Sequence, residues 1–297
     1  MYIGLDIGGH KINSVLMKGN KIIRKRRTAT KSTSNKKIII AQIFDCIEYL
    51  IKDLDKSKIR GIGIGAPGPI DSKRGVVLCP PNVKVLSGLP LADLVQKKFK
   101  TKVILDNDVN CFGIAEGILG AGKGKQNIIG LTLGTGVGGC LILRGRLFHG
   151  RDGSAGEIGH MVIKKDGWKC SCGNKGCLET YVSARGIMRI AKEIGCRGAT
   201  PTEIMRLAKK DNKKALKVYQ ITGEYLGIGL ANLVNILNPD IIIIGGGIAN
   251  VGELLFNPAR KVMRKNILSP LAKNTKVVRA KLNEDAGAIG AALLIKS

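Results

Sequence analysis

Aromatic residues, histidines and acidic side chains are all scarce in this 297-residue chain. Phe, Trp and Tyr make up 4% of the residues, which leaves little for the base stacking by which proteins hold single-stranded nucleic acid. No apolar run is long enough to cross a bilayer, and no signal peptide precedes the first predicted strand. We therefore expect a cytoplasmic protein that has no membrane partner and no disulfides.

The shortage of acidic residues leaves the chain strongly basic. Lys and Arg number 49 against 22 Asp and Glu, which gives a formal net charge of +27. Such a balance can mark a nucleic-acid-binding protein, but the basic residues are spread along the chain and not concentrated in one arm. We interpret them as solvated surface charge and consider a nucleic-acid partner unlikely. The positive field would still favour the approach of an anionic cosubstrate.

Three of the eight cysteines form the most informative cluster of the sequence. Cys170, Cys172 and Cys177 are separated by glycines, and this spacing supplies three ligands for tetrahedral zinc. His160 is the candidate for the fourth ligand. His149 follows a tight turn and is expected to point elsewhere. The three histidines of the chain are His10, His149 and His160.

Two carboxylates, Glu157 and Glu179, flank the proposed zinc ligands. A purely structural metal site has no need of acids at its edge, so this stretch is predicted to be a zinc-tied loop that holds polar groups against a substrate. The alternative is that the cysteines are ordinary core residues. That interpretation suits Cys46, Cys111 and Cys140, which lie in apolar runs.

An ungapped internal repeat relates two glycine-rich hairpins. Residues 4–9 (GLDIGG) align with residues 130–135 (GLTLGT), an offset of 126 residues, and the register persists to residues 16–19 against 142–145. Each copy predicts a strand, a glycine turn, a second strand, a tight turn and a third strand. A repeat of this kind suggests duplicated domains that face one another.

The glycine turns of the repeat are candidate phosphate sites, because backbone N–H groups can approach phosphate oxygens where no Cβ intervenes. Asp6 in the first copy is placed to hold a metal-bound water, and the Thr135 hydroxyl in the second copy can donate to a phosphate. The alternative is a pair of hairpins that merely need tight turns. Two copies in register, with Asp in one and Thr in the other, favour phosphate binding.

Strands and helices alternate along the rest of the chain, which predicts an α/β fold with mostly parallel inner strands. An unbroken run of isoleucines predicts a buried strand at 241–244, and Gly245, Gly246 and Gly247 after it are expected to open a helix and to suit close packing of a nucleotide base or ribose. Such a turn can also simply reverse the chain. The other predicted elements are strands at 58–65 and 103–105 and helices at about 109–119, 218–237 and 285–296.

Asp106, Asn107 and Asp108 follow the strand at 103–105, at the carboxyl end where open α/β sheets keep their sites. Asp108 is the candidate general base that takes a proton from an attacking hydroxyl, and Asn107 would orient that hydroxyl. An Asp before a helix is also a favoured N-cap. A cap needs only one side chain, however, and this turn offers three.

Taken together, the motifs resemble the ROK family of bacterial sugar kinases and repressors, within the actin/hexokinase superfamily. The resemblance covers essentially the whole chain and rests on LDIGGHKI, APGPID, PPN, LDNDVN, LTLGTGVGG, EIGH, CSCGNKGCLE and IIIIGGGI, in family order. It implies an α/β fold of two actin-like (ribonuclease H-like) domains with a cleft between them and a zinc-tied loop in the larger domain. The smaller domain would comprise 1–117 and the C-terminal helix at about 286–297, and the larger domain 118–285.

The resemblance also implies a hexose substrate, with ATP, Mg²⁺ and structural Zn²⁺ as cofactors. The expected contacts to ATP and its metal are Asp6, Gly8, Gly9, His10, Lys11, Gly134, Thr135, Gly136, Gly246 and Gly247. The expected contacts to the sugar are Gly68, Asn82, Asn107, Asp108, Glu157, His160 and Glu179. The implied zinc ligands are His160, Cys170, Cys172 and Cys177. One ring nitrogen of His160 would bind the metal and leave the other for a sugar hydroxyl.

The sequence departs from the family at His10, which stands where the first phosphate motif usually has Thr. Imidazole can donate to phosphate but is bulkier, so phosphate geometry and turnover are expected to differ. The leading prediction is ATP-dependent phosphorylation of a hexose, with glucose favoured by the APGPID and GCLETYVSA segments over mannose, N-acetylglucosamine and N-acetylmannosamine. The alternatives are a kinase-like protein that binds sugar without catalysis and a sugar-sensing repressor. Repressors of the family carry a helix-turn-helix for which the strand at Tyr2 leaves no room. A homodimer or homotetramer is expected.

Overall fold

The computed structural model describes residues 1–31, 35–80 and 83–296. The chain divides into two compact units. Unit 1 comprises Met1–Gly124, Arg146–Ala155 and Lys281–Ser297, and unit 2 comprises Lys125–Gly145 and Gly156–Ala280. The domain limits predicted from the sequence, at 117/118 and about 285/286, stay a prediction. The boundaries between the compact units lie a few residues from these limits, and unit 1 also includes Arg146–Ala155.

The elements alternate between strand and helix along much of the chain. The strands are β1 (Tyr2–Ile7), β2 (Lys11–Lys18), β3 (Lys21–Ala29), β4 (Gly61–Ala66), β5 (Ile70–Asp71), β6 (Val76–Val77), β7 (Val103–Asn107), β8 (Ile128–Leu133), β9 (Val137–Leu143), β10 (Arg146–Leu147), β11 (Ile241–Gly245) and β12 (Lys276–Arg279). The helices are α1 (Lys36–Ile51), α2 (Leu91–Phe99), α3 (Asp108–Ile118), α4 (Glu179–Val182), α5 (Ala184–Glu193), α6 (Pro201–Ala208), α7 (Lys213–Leu237), α8 (Glu253–Asn266) and α9 (Ala286–Leu294).

Unit 1 is built on a sheet of order β3-β2-β1-β4-β7. β1 is antiparallel to β2 but parallel to β4, and β4 is parallel to β7. Because parallel strands end at one edge, the residues that close β1, β4 and β7 are neighbours: Asp6 pairs with Gly65, and Gly65 pairs with Asp106. The predicted metal-binding and catalytic acids of unit 1 therefore share one edge of the sheet.

Unit 2 repeats this arrangement. Its strands lie in the order β9-β8-β11-β12, with β8 antiparallel to β9 and parallel to β11, which is parallel to β12. Both ends of β8 lie 126 residues after those of β1, and β9 begins 126 residues after β2. The sequence repeat is thus a repeat of structure, and the predicted α/β fold with parallel inner strands is confirmed.

Two helices begin elsewhere than predicted. α3 begins at Asp108 and not at about 109, because its N-cap is Asn107, whose side chain accepts from Val109 N at 2.8 Å. The triple glycine does not open an α-helix directly, because Gly246 and Gly252 both have positive φ (84° and 71°). They bracket a short 3₁₀ segment, Gly247–Val251, and α8 begins only at Glu253.

The C-terminal helix α9 packs into unit 1 through glycines. A Cβ on Gly63 of β4 would lie 1.7 Å from the Ala291 carbonyl oxygen, and a Cβ on Gly290 would lie 1.7 Å from the Cys111 carbonyl oxygen. The backbone of α9 therefore lies directly against β4 and α3. Across the described stretches of chain, no helix has the length and apolar character needed to span a membrane.

Candidate functional site

The acidic turn, Asp106–Asn107–Asp108, joins β7 to α3 in unit 1. The Asn107 side chain caps α3 through its Oδ1 and donates through Nδ2 to the Gly68 carbonyl oxygen at 3.1 Å. Two of the residues predicted to bind sugar are thus hydrogen-bonded to each other. Asp108 Oδ1 lies 2.9 Å from Val109 N, and its charge is favoured at the positive end of the helix dipole. Asn82, another predicted sugar contact, lies outside the described residues.

Asp106 is the buried member of the acidic turn, with 3% of its surface exposed. Its Oδ1 accepts from Asn107 N and from Asn110 Nδ2, each at 2.7 Å, and its Oδ2 lies 2.7 Å from His149 Nε2. The hydrogen bond to Asp106 raises the pKa of His149, against the opposing effect of burial. The cluster of possible metal ligands among the described residues includes His160 and not His149, and no sequence pattern indicated that the partner of His149 is Asp106.

The first glycine turn lies between β1 and β2 of unit 1. Gly8 N donates to the Lys11 carbonyl oxygen at 2.9 Å, and Thr30 Oγ1 donates to the Gly8 carbonyl oxygen at 2.7 Å. Asp6, just before the turn, packs against Gly287, where a Cβ would lie 2.5 Å from Asp6 Oδ2. Burial raises the pKa of Asp6 to about 6, opposed by a hydrogen bond from Asn13 and by the charge of Lys11. The turn itself comprises Gly8, Gly9 and the exposed His10.

Lys11, a predicted phosphate contact, is ion-paired in this structure. Its Nζ lies 2.9 Å from Glu284 Oε2, and Arg27 also pairs with that oxygen. The hydrogen bond and charge of Lys11 lower the pKa of the Glu284 carboxyl. The Lys11 and Glu284 side chains are 42% and 57% exposed, so the pair is solvent-accessible. A phosphate bound by Lys11 would compete with this carboxylate for the same ammonium group.

The second glycine turn, Gly134–Thr135–Gly136, lies between β8 and β9 of unit 2. Gly134 N donates to the Gly136 carbonyl oxygen at 3.0 Å. Gly246, at the end of β11, comes so close that a Cβ there would lie 2.3 Å from the Leu133 carbonyl oxygen. The structure thus brings together the predicted phosphate and adenosine motifs of unit 2. Gly247 faces open space, with nothing within 4 Å of a Cβ built there.

The four predicted zinc ligands converge in unit 2. Their ligand atoms all lie within 4.8 Å of one another. Cys170 Sγ lies 3.7 Å from His160 Nδ1, and Cys172 Sγ lies 3.7 Å from Cys177 Sγ. Tetrahedral zinc with bonds of about 2.0–2.3 Å separates its ligand atoms by about 3.5–3.8 Å. The cluster therefore fits four-coordinate zinc, and its sulfurs are too far apart for a disulfide bond of about 2.05 Å.

The direction of the imidazole also suits a metal, whereas the Cys177 thiol must lose its proton before it can bind one. Burial raises the pKa of the Cys177 thiol to about 12, so a bound zinc ion would displace that proton and bind more tightly as the pH rises. With Nδ1 facing the sulfurs, His160 Nε2 is turned toward Glu157, 4.0 Å from its Oε2. The assignment of Nδ1 to a metal and of Nε2 to a sugar hydroxyl, which the family resemblance implied, stays a prediction.

Glu179 links the zinc loop, residues 160–177, to the second glycine turn. Its Oε2 accepts from Val137 N at 2.9 Å, and Ser171 Oγ donates to its Oε1 at 3.4 Å. A Cβ on Gly136 would lie 2.6 Å from Glu179 Oε2, so a side chain there would push the carboxylate out of this position. The sequence patterns singled out Glu179 and Gly136 but neither Val137 nor Ser171, and they did not predict these contacts.

An aromatic stack supports the zinc loop. The ring of Trp168 stacks on Tyr181 at 4.6 Å, and Tyr181 stacks on Tyr225 at 4.1 Å. The Arg189 guanidinium covers Trp168, 4.1 Å from the ring centroid. Because Trp168 is the sole tryptophan of the chain, its fluorescence reports on this loop.

Comparisons with known proteins agree with these features. The model of the ROK family matches residues 2–297. A glucokinase from Thermotoga maritima is 35% identical over 99% of this chain and 96% of its own length. A xylose repressor from Caldicellulosiruptor bescii is 33% identical over 99% of this chain and 78% of the repressor. An N-acetyl-D-glucosamine kinase from Vibrio cholerae is 33% identical over 99% of both chains.

The fold is also found among solved structures. A ROK family glucokinase from Streptomyces griseus, in complex with glucose and AMPPNP, superposes with a TM-score of 0.84 and is 32% identical over 99% of this chain and 98% of that chain. The chain belongs to the ROK family and has its α/β kinase fold. The family includes both sugar kinases and repressors, so membership alone does not define the activity.

Proposed function

We propose that this chain is an ATP-dependent hexose kinase that phosphorylates glucose at its primary hydroxyl. The observation that carries the proposal is the acidic turn, in which Asn107 is held by Gly68 and by the start of α3 while Asp108 sits beside it. The similarity to glucokinases over 99% of the chain supports the same activity. Asp108 is the general base: it accepts the proton of the sugar hydroxyl as that oxygen attacks the terminal phosphate.

Phosphoryl transfer depends mainly on positioning and on stabilising charge. In this proposal the backbone N–H groups of the two glycine turns bind phosphate oxygens, and Lys11 adds a positive charge. Asp6 holds the water shell of Mg²⁺, which supplies charge neutralisation for the triphosphate when bound. Because the pKa of Asp6 is about 6, its carboxylate is mostly ionised at neutral pH. Gly246 and Gly247 accommodate the adenosine.

The sugar hydroxyls are bound by carboxylates and by the second nitrogen of His160. The proposal assigns Glu157, His160 Nε2 and Glu179 to these hydroxyls, and zinc to a structural role. His160 would hold the metal through Nδ1, which would also fix the direction in which Nε2 points. His160 Nε2 lies 4.0 Å from Glu157 Oε2, and this proximity of two polar groups supports a shared role in sugar binding.

The test is a coupled ADP-release assay with glucose, mannose, N-acetylglucosamine and N-acetylmannosamine. We expect the highest kcat/KM with glucose. Asp108→Asn should lower kcat by about 10²- to 10⁴-fold, the usual contribution of a general base, while the dissociation constant for glucose changes by less than about threefold, because the amide keeps the shape of the carboxylate. Asp93→Asn, an exposed acid in the first turn of α2, is the matched control. Near-normal turnover by Asp108→Asn would remove Asp108 as the base.

A regulator without catalysis is the second candidate, since the xylose repressor matches 99% of this chain. This candidate predicts sugar binding without hexose-dependent ADP release, together with salt-sensitive and sequence-selective DNA binding. N-acetylglucosamine is the alternative substrate, on the strength of the Vibrio cholerae kinase. The same panel of sugars separates these outcomes.

A further inference from the structure

His149 makes a close polar contact for which the proposed mechanism has no use. It lies in Arg146–Ala155, the segment by which the chain leaves unit 2 after β9 and joins unit 1 before it returns at Gly156. Within this segment Ala155 N donates to the His149 carbonyl oxygen at 3.1 Å. The side chain of His149 is 36% exposed, whereas that of its partner Asp106 is only 5% exposed. This segment therefore places the imidazole of His149 against the buried carboxylate of Asp106 within unit 1.

The Asp106 carboxylate is held on several sides. His149 Nε2 lies 2.7 Å from Oδ2, while Asn107 N and Asn110 Nδ2 donate to Oδ1, both at 2.7 Å. Because one of these donors is the backbone N–H of Asn107, the orientation of Asp106 is tied to the path of the chain into Asp108. A group that fixes Asp106 thus also fixes the two residues that follow it.

We propose that His149 is a positioning residue, which holds Asp106 and, through Asp106, keeps Asn107 and Asp108 in the geometry required for proton transfer from the substrate hydroxyl. This inference rests on the proposed function, because Asp108 is the general base only in that mechanism. An imidazolium at this place also balances a buried carboxylate two residues from the base. Without that cation, the negative charge on Asp106 would favour protonation of Asp108 and so weaken it as a base.

The charges around His149 identify Asp106 as its electrostatic partner. The junction of β7 and α3 contributes Asp106 and Asp108. β5 packs near Gly153 of the same segment, and the carboxylate of its Asp71 accepts from Arg74 N within its own turn. On the segment itself Arg151 and Asp152 pair with each other at 3.1 Å and are exposed. The hydrogen bond and charge of Asp106 raise the pKa of His149, so the imidazolium persists above the usual pKa of about 6.5.

The first test follows the histidine ring signals by NMR and needs no turnover. The chain has three histidines, so the signal of His149 is assigned as the one lost in His149→Gln. Asp106→Asn should lower the pKa of His149 while the signals of His10 and His160 stay in place, which also shows that this variant is folded. Should Asp106→Asn unfold, pH titration of the Asp106 carboxyl carbon in wild type and His149→Gln gives the same comparison. If wild type and the variant titrate identically in the comparison used, His149 does not interact with Asp106 as proposed.

The second test compares the kinetics of two substitutions at the same position. His149→Ala should lower kcat about 10- to 100-fold, the usual effect of a misplaced catalytic group, and leave the KM for ATP within about twofold. His149→Gln keeps an N–H that can reach Asp106 and should recover most of that loss. The kcat of the wild type should fall as the pH rises through the pKa of His149, and the kcat of the Gln variant should not show this decrease.

Two outcomes contradict the positioning role. The first is an equal loss of kcat in the Ala and Gln variants, and the second is that both variants keep the wild-type decrease of kcat at alkaline pH. Failure of the proposed function looks different. A wild-type protein that releases no ADP with any hexose contradicts the kinase assignment and the positioning role with it, and the NMR comparison still decides whether His149 holds Asp106.

Discussion

The carboxylate of Glu179 accepts a hydrogen bond from the backbone N–H of Val137 at 2.9 Å. Val137 follows the second glycine turn directly, and Glu179 follows the zinc loop, so this bond joins the proposed phosphate-binding and sugar-binding elements of unit 2. A charged acceptor strengthens such a bond. Under the proposed function, Glu179 would act on both substrates, directly on the sugar and through the backbone of the second glycine turn on the nucleotide.

Two substitutions separate these roles of Glu179. Glu179→Gln retains an oxygen that can accept from Val137 N, so we expect it to raise the KM for glucose about 10- to 100-fold, the loss of one charged hydrogen bond, with the KM for ATP within about threefold. Glu179→Ala removes the acceptor and should raise both values. Steady-state kinetics with each substrate varied measures this. If Glu179→Ala leaves the KM for ATP unchanged, the link to the glycine turn has no functional role.

The zinc cluster predicts stoichiometric metal in the purified protein. Removal by a chelator should change the fluorescence of Trp168, which stacks on Tyr181 beside the loop, and should weaken glucose binding more than ATP binding. Two exposed cysteines form a matched pair: Cys172→Ser should lose the metal, whereas Cys79→Ser should keep it. Metal analysis and fluorescence titration provide the readout. Equal zinc content in the two variants would exclude the proposed ligand set.

The His149–Asp106 pair predicts a pH-dependent contribution to stability. The pKa of His149 is raised in the folded state. Its contribution is therefore fully present below the unfolded value of about 6.5 and is lost as the pH rises through the folded value. Urea unfolding should show a larger difference between wild type and His149→Gln at about pH 6 than at about pH 9. A difference that grows with pH would have the wrong sign.

The ion pair of Lys11 with Glu284 should compete weakly with ATP. Exposed pairs contribute about 0–1 kcal/mol, so Glu284→Gln is expected to lower the KM for ATP by up to about fivefold and to leave glucose binding unchanged. Lys11→Met should act in the opposite direction on ATP and likewise spare glucose. Binding of a non-hydrolysable ATP analogue measures both variants. Weaker nucleotide binding by Glu284→Gln would assign that carboxylate a supporting role instead.

Local sequence patterns predicted most of the fold. The strand–glycine–strand pattern near Asp6 and its copy near Thr135 revealed the repeated sheet, because alternation and turn chemistry are encoded within a few residues. The convergence of His160 with the three cysteines was predictable for a similar reason: the cysteine spacing is short and the ligand chemistry of zinc is narrow. The start of α7 at Lys213, before the predicted 218, reflects capping by Asn212, whose side chain accepts from Ala215 N.

Contacts between distant residues could not be predicted. Asp106 and His149 are 43 positions apart, and Val137 and Glu179 are 42 apart, so no periodicity links them. The pairing of Asp106 with His149 depends on where the chain leaves unit 2 and joins unit 1, and the pairing of Val137 with Glu179 depends on how the zinc loop packs within unit 2. Only the tertiary fold determines either. The choice of Asn107 as the cap of α3 was likewise open, because the turn offers several suitable side chains.

Hexose-dependent ADP release by the wild-type protein beside Asp108→Asn is the most direct test of the account. We predict measurable turnover of glucose by the wild type and a loss of about 10²-fold or more in kcat for Asp108→Asn, with glucose still bound by the variant. Sugar binding without any ADP release by the wild type, or equal turnover by the two proteins, would contradict the account.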